Sequence, residues 1–355
     1  MLENRWKIHI LALILILALL TSAASAEILE ITSGQKEPLA PIAEQEEFSE
    51  KTEPAEQMDQ TEQTVPILDL PVLESGTLVE IPVNQNSMKV SIEPKEECYI
   101  YEEGAEDPTG YADPSITVNI GHGRFLETNY IYARVKIAAA SQLRTLLASS
   151  INSSHTTPGH DLARRVKAVI AINGDYCGGE DNRFGVIMRQ GQMLRLKSSG
   201  STDLLMIDKA GDFHILKKGS DEDVKAVENQ AVNIFTFGPA LIMDGEPQAI
   251  ERNNHYGSHI KAQRMAICQT GPLEYLLITS EGPQNPGSRG LTVEQFTELI
   301  STNMPEVRTA YNLDGGSSST MVFHRNGKKW LKINALSNPK VRPLKDIIYF
   351  ATAWE

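Results

Sequence analysis

The feature that most constrains this chain is its punctuation. From residue 115 onward it breaks every few residues into short apolar or alternating segments closed by Gly, Pro, Asn or Asp. Residues 115–120 and 130–137 alternate in the period of a half-buried strand, and 168–172 is an apolar run that fits a buried one. Further strand candidates follow at 184–188, 203–207, 213–216, 233–237, 240–243, 265–269 and 275–280. Asp208-Lys-Ala-Gly211 and Asp244-Gly245 read as hairpin turns between them. Two helices interrupt the pattern. The first falls around 161–167, with Pro158 near its start, where a missing N–H costs nothing. The second is announced by Thr292 and Gln295 at capping-box spacing, by Leu291 and Phe296 as a hydrophobic staple, and by Val293, Phe296, Leu299 and Ile300 as a buried stripe; it ends near Asn303, before Pro305. Beyond it, 321–324 and 330–333 flank Asn326-Gly327, and 347–351 makes a last strand. The expected fold class is therefore α+β: a mixed β-sheet body with flanking helices, in one single domain over 76–355.

The N-terminus has a different character. Arg5 and Lys7 precede an apolar run over 10–20, and Ala24 and Ala26 stand in the small-residue spacing of a secretory cleavage site. Residues 1–26 are expected to be a signal peptide; the alternative is a retained anchor, although the run falls short of the roughly 20 apolar residues a spanning helix needs. From 27 to about 63 the chain is rich in Glu, Gln, Pro, Thr and Ser, and Phe48 is its sole aromatic. Such a stretch cannot bury enough surface to order itself, so 27–75 is expected to be an acidic disordered linker. The resulting location is secreted or cell-envelope associated, with membrane contact only through the signal segment if uncleaved. A net charge of -13 argues against nucleic acid as a partner, because phosphate neutralisation needs clustered Lys and Arg. Cys98, Cys177 and Cys268 permit one disulfide at most.

The densest chemistry lies at Thr-Ala-Tyr-Asn-Leu-Asp-Gly-Gly-Ser-Ser-Ser-Thr-Met, residues 309–321. Its first five residues are β-prone, and from Asp314 to Ser319 no side chain is larger than Asp, so backbone amides there can approach a ligand. Two consecutive glycines make left-handed conformations cheap, and successive N–H groups can then converge into an anion nest. Familiar alternatives fail on spacing. The loop lacks the Lys of a P-loop and is not a Gly-x-Ser-x-Gly elbow. His255 and His259 stand four apart without the zincin Glu. No metal site is expected and no cofactor is required; the carboxylates could hold Ca²⁺, yet no EF-hand loop is present.

Six ordered elements resemble the phosphodiester glycosidases related to the enzyme that uncovers mannose 6-phosphate on lysosomal glycoproteins. They are Ala-Ile-Asn-Gly-Asp-Tyr at 171–176, Phe-Gly-Pro-Ala-Leu-Ile-Met-Asp-Gly at 237–245, Gln-Arg-Met-Ala-Ile at 263–267, Ser-Arg-Gly-Leu-Thr at 288–292, Asn-Leu-Asp-Gly-Gly-Ser-Ser-Ser-Thr at 312–320, and Arg342. The resemblance implies hydrolysis of a sugar-1-phosphodiester that releases the sugar and leaves a phosphomonoester, with a phosphorylated glycan as substrate. The chain departs from the common pattern at Ser317, where relatives often carry a third Gly, at Asp175-Tyr176 in place of a Gly-Phe-like pair, and at Glu281 in place of an Asp.

Cleaving an anomeric C–O bond passes through an oxocarbenium-like state that enzymes usually serve with two carboxyl groups. A phosphate monoester already leaves well, so donors and positive charge that receive its charge matter more than a strong acid. Asp314 is the first candidate for the essential carboxylate, as nucleophile or base; a structural Asp capping the Gly-Gly turn is the alternative. Asp175 is the second candidate and Glu281 the third, each with a plain loop residue as its alternative. Arg264 sits in an apolar strand and needs an anionic partner, either a structural carboxylate or the substrate phosphate. Gly315, Gly316, Ser317 and Ser318 are expected to face the phosphate, and Asn173 and Asn312 the sugar hydroxyls; Gly174 and Thr320 complete the expected binding set. The competing class is a non-catalytic glycan-binding or exopolysaccharide-assembly module that keeps the nest without turnover.

Overall fold

Alternation along the strands decides which faces are buried. In Thr309–Leu313, Tyr311 and Leu313 enter one hydrophobic cluster while Ala310 enters another on the opposite face. The same division separates Met265 and Ile267 from Ala266 and Cys268, and Tyr275 and Leu277 from Leu276 and Ile278. A sheet apolar on both faces must be covered on both. The computed structural model describes residues 69–71, 76–105, 107–176, 185–251, 257–325, 329–332 and 342–355, and shows how the covering is done. The signal segment, nearly all of the linker, Cys177, His255 and the Asn326-Gly327 turn lie outside the described residues. Thr61–Glu355 forms one compact unit.

The two-faced sheet has nine antiparallel strands in the order Tyr99–Ile100, Gly110–Asp113, Ile116–Phe125, Thr128–Ile137, Glu274–Ser280, Arg264–Gly271, Thr309–Leu313, Ala240–Met243, Glu246–Pro247. One face packs on two five-stranded sheets. The first runs Lys329–Lys332, Met321–Arg325, Ile170–Asn173, Asp346–Phe350, Leu143–Leu147; the second runs Phe213–Leu216, Leu204–Asp208, Ala231–Phe235, Ile187–Arg189, Gln192–Arg195. Ile170, Ile172, Phe323 and Phe350 from the first, and Leu205, Ile207 and Phe235 from the second, share the main core with the large sheet.

Each outer face takes one helix. Val293–Asn303 covers the far side of the large sheet, burying Val293, Phe296, Leu299 and Ile300, each worth about 1.5–3 kcal/mol of transfer free energy. The anticipated capping box is present: Thr292 Oγ1 accepts from Gln295 N at 3.1 Å, and Thr292 N donates to Gln295 Oε1 at 3.1 Å. Gly159–Arg165 follows Pro158 and places Leu162 and Ala163 against Ala171, Val322 and Ile347. Asp221–Val227 buries Val224 against Met188, Leu204 and Ile234. The body is thus α+β, with helices flanking antiparallel sheets.

The short strands Tyr99–Ile100, Gly110–Asp113, Gln192–Arg195 and Glu246–Pro247 escape sequence reading, and so do two longer elements. Asp221–Val227 is only seven residues long, and its capping box closes with Asp223 in place of Glu or Gln. Leu143–Leu147 carries Arg144, which is buried because its guanidinium donates to the carbonyls of Pro82, Gln85 and Ser141. Neither segment presents a regular apolar period. Cys98 and Cys268 are free thiols. Among the described residues no helix is long and apolar enough to cross a membrane.

Candidate active site

Three segments far apart in sequence end at one place. Ile170–Asn173 pairs on one side with Asp346–Phe350, where Asn173 faces Ile347, and on the other with Met321–Arg325. The loop between Thr309–Leu313 and Met321–Arg325 therefore lies beside the end of Ile170–Asn173. Asn173 fastens the two together: its Nδ2 donates to Asp314 O at 2.8 Å and its Oδ1 accepts from Thr320 N at 3.0 Å. The junction opens into a cavity of about 360 Å³ lined by Asn173, Gly174, Asp175, Tyr176, Asp314, Ser318, Arg342 and residues 343–346, with Asn152, Ser153, Ser154 and Thr156 on the facing wall.

Asp314 is half-buried on this wall. Burial pushes its carboxyl up to about 6; the Ser318 hydroxyl, the Arg342 charge and the Gly315 N–H oppose that rise, while the Asp175 charge adds to it. A carboxyl at that value can hold or accept a proton near neutral pH. Asp175 is 6% exposed, and its Oδ2 accepts from Thr236 N at 2.6 Å. Arg342 lies with its Cζ 5.5 Å from the Tyr176 ring centroid. Lys345 Nζ donates to Ser153 O.

Of the expected residues, Asp314, Asp175, Asn173, Gly174 and Ser318 meet in this cavity, and the others do not. The requirement that Arg264 find an anion is corrected. It is 4% exposed, and its guanidinium donates to Leu291 O at 2.9 Å, Gly257 O at 3.0 Å and Ile260 O. Three carbonyl dipoles supply what a carboxylate was expected to supply; burial alone pulls its pKa down to about 10, so it stays charged at neutral pH. Glu281 accepts from Asn129 Nδ2 at 3.0 Å and from Ser288 Oγ, beside the loop before the capped helix. Asn312 points to the opposite face, where its Nδ2 donates to Gly238 O at 2.7 Å, and it lines a separate cavity of about 340 Å³ with Phe237, Asp203 and Lys217. Asn173 spends both ends of its amide on backbone, so its work here is structural.

The anion nest is also corrected. Gly316 N donates to Gln263 O at 2.8 Å, Ser318 N to Gly315 O at 3.1 Å, Ser319 N to Gly316 O at 3.2 Å, and Thr320 N to Asn173 Oδ1. Gly315 N serves the Asp314 carboxylate. The segment Gly316–Ser318 is a single 3₁₀ turn, with Ser317 exposed. The glycines serve close packing instead: a Cβ at Gly315 would fall 2.8 Å from Gln263 O, and Gly316 has φ +57°. The turn holds the carboxylate of Asp314, and the amides of Gly315, Gly316, Ser318, Ser319 and Thr320 are spent within the protein instead of converging on an anion.

Asp346 in the cavity lining, and Arg189 bonded to it from outside that lining, carried no sequence signal as site residues. Asp346 is 1% exposed at the start of a strand, and Arg189 ends another; each reads as an ordinary strand-end charge until the fold joins them. Arg189 Nη2 donates to Asp346 Oδ2 at 2.8 Å, beneath Asp175. Burial raises Asp346 to about 6, against the opposing charge of Arg189. Among the described residues no group of three or more His, Cys, Asp or Glu is placed to hold a metal ion.

Packed antiparallel sheets with a carboxylate-lined cavity at converging strand ends define the fold and the candidate site. Residues 166–351, just over half of the chain, match the phosphodiester glycosidase family. The chain belongs to that family. The fold is similar to the zebrafish N-acetylglucosamine-1-phosphodiester alpha-N-acetylglucosaminidase catalytic domain, a structure auto-inhibited by its pro-peptide, at 17% identity and a TM-score of 0.54, over 72% of this chain and 92% of that one. It is also similar to a hypothetical protein from Synechocystis, at 14% identity and a TM-score of 0.51, over 70% of this chain and 64% of that one. No curated protein matches the chain by sequence.

Proposed function

We propose that the chain is an exported hydrolase that cleaves a sugar-1-phosphodiester in envelope or extracellular glycan, with Asp314 as its essential carboxylate. The observation that carries this reading is the meeting of Asp314 and Asp175 in one cavity whose rim holds Arg342. Asp314, with its carboxyl raised to about 6, has the proton affinity of a group that works near neutral pH. The departing phosphate needs positive charge more than it needs a proton, and Arg342 and Lys345 stand where they can receive it. The Ser- and Asn-rich wall of Asn152, Ser153, Ser154 and Thr156 offers hydrogen-bonding groups to sugar hydroxyls. Family membership supports the same reaction class, and the N-terminal signal pattern supports export.

The test is direct. The purified protein is incubated with GlcNAc-, GalNAc- and glucose-1-phosphodiesters while free reducing sugar is followed, beside Asp314→Asn. Release by the native protein, lowered about a hundredfold or more in the variant, is expected. Equal release by both proteins would sink the assignment of Asp314, and glycan binding with no release from any donor would favour the non-catalytic module.

A further inference from the structure

A second cavity takes no part in the reaction above. It holds about 340 Å³ beside the strand Thr309–Leu313 and shares none of its described lining residues with the first. Asp203, which is 5% exposed, ties its walls together. The Asp203 carboxylate accepts from Ala240 N at 3.2 Å, from Lys218 N at 3.1 Å and from Lys217 Nζ at 2.9 Å, while its carbonyl accepts from the Tyr311 hydroxyl at 2.8 Å. A pocket braced in this way has its shape before anything enters, which lowers the cost of binding.

One polar group of the lining is left over. Asn312 is 1% exposed; its Nδ2 donates to Gly238 O at 2.7 Å, and its Oδ1 has no hydrogen-bond partner. An unpaired buried acceptor is costly, and a ligand that brings a donor removes that cost. The charges point to a neutral ligand. Lys217 Nζ pairs with Asp203 Oδ2 at 2.9 Å and Lys218 Nζ with Glu251 Oε1 at 3.0 Å, so among the described lining residues the two cations and the two acids are matched one to one. The lining also holds the Phe237 ring and, on its more exposed side, the hydroxyl residues Ser201 and Thr202. An aromatic surface beside a few polar groups suits a ligand with an apolar face and hydroxyls around its edge. The volume lies near the lower end for ligand pockets, about 300 Å³, and admits one such ring, not a chain of them.

We propose that this cavity is a binding site for a single neutral sugar residue, separate from the hydrolytic site: a sugar hydroxyl donates to Asn312 Oδ1, and the apolar face of the ring lies toward Phe237. Nothing is cleaved there. The inference stands whether or not the first cavity is catalytic, because it uses none of that cavity's residues. Asn312 ends two positions before Asp314, so the site holds its sugar against the strand that delivers the candidate carboxylate.

The experiment reads binding without turnover. The ¹⁵N-labelled protein is titrated by NMR with the methyl glycosides of glucose, galactose, mannose and N-acetylglucosamine, which carry no phosphodiester to cleave. At least one is expected to shift the Asn312 side-chain amide and the backbone amides of Ser201 and Thr202 saturably, with a Kd on the order of a millimolar for a ligand of this size. Ala249→Trp, at an exposed position of the lining, should fill the cavity and weaken that binding about tenfold or more. Should Ala249→Trp fail to fold, Ser201→Trp, also exposed, blocks the same cavity. Asp314→Asn should leave the binding unchanged. No shift from any of the four glycosides overturns the proposal, as do shifts confined to Ser153 and Tyr176 of the first cavity, or binding that survives the blocking variant. Glucuronate binding more tightly than methyl glucoside would overturn the assignment of a neutral ligand.

Discussion

Asp314→Asn should make the protein more stable as it makes it inactive, and the gain should depend on pH. The carboxyl of Asp314 stands at about 6 in the folded chain against 3.8 for the free group, with burial as the main cause. The native state therefore binds its proton more tightly than the unfolded state, and stability falls as pH rises between those two values. Below about pH 3 both states are protonated and the difference vanishes; above about pH 7 both are ionised and the penalty is constant. The full span corresponds to about 3 kcal/mol at 1.36 kcal/mol per unit, a ceiling because the cavity leaves one side of the carboxylate wet. Asn has the size of protonated Asp and cannot ionise, so the variant escapes the penalty. Urea midpoints measured at about pH 4.5 and about pH 7.5, in phosphate-free buffer, should put the variant ahead by about 1 kcal/mol or less at the lower pH and by about 1–3 kcal/mol at the higher. Asp346 imposes a slope of the same sign in both proteins. The depressed acids, Asp208 and Asp223, act below about pH 4 and leave the window undisturbed. Parallel pH–stability curves for the two proteins would refute the argument, because they would mean that Asp314 is ionised at no cost.

Ser318→Ala removes a hydrogen bond that favours the ionised form of Asp314, so whichever limb of the kcat–pH profile Asp314 governs should move up by about half a unit to one unit. Arg264→Met leaves the carbonyls of Leu291, Gly257 and Ile260 without their donor, which at about 1–3 kcal/mol per buried unsatisfied group should lower the urea midpoint steeply while the folded fraction keeps its kcat. Gly174→Ala pushes a methyl into the Asp346 carboxylate and should lower the thermal midpoint by several degrees or abolish soluble expression. Thr292→Ala deletes the cap of Val293–Asn303 at a cost of about 1 kcal/mol, read as a shift in urea midpoint with turnover unchanged.

Fold class was legible because it rests on local periods. The strands of the large sheet alternate or run apolar, and the turn at Asp244-Gly245 takes positive φ at both residues, +52° and +84°, as such a hairpin turn requires. The capped helix could be read to the residue because its signal lies within four positions of Thr292. The site was legible only in part, for a physical reason. Asp314 and Asp175 stand out because each is a carboxylate at the end of an apolar run beside glycine. What a side chain touches is decided by register between strands distant in sequence, and no local pattern encodes it. Arg264 and Arg189 make the point together. Both are buried arginines on strands, but the register Met265↔Leu313 sends Arg264 to the loop carbonyls of the helix side, whereas Ile234↔Met188 places Arg189 under the cavity. The Gly-Gly-Ser-Ser loop misled for a related reason. Small residues allow close approach, and here the thing approached is the protein's own backbone at Gln263.

That loss of backbone donors shifts the burden of anion binding onto side chains, and the charge count then matters. Arg342 and Lys345 share the cavity lining with Asp175, Asp314 and Asp346, and each proton that these acids take up makes the site one charge more positive. The proposed phosphodiester substrate is an anion at any pH near neutral, and it should enter more readily as protons are taken up. Asp314 and Asp346, both raised to about 6, take theirs up as the pH falls toward that value. Substrate affinity and chemistry are then pulled in opposite directions if Asp314 works as base or nucleophile: protonation draws the phosphate in and disables the carboxylate. The compromise lies near the pKa of the group itself, where half of the molecules retain the base and protonation of the other half lowers the negative charge of the cavity. The burial that makes Asp314 costly to ionise is on this account what allows an acidic cavity to accept an acidic substrate.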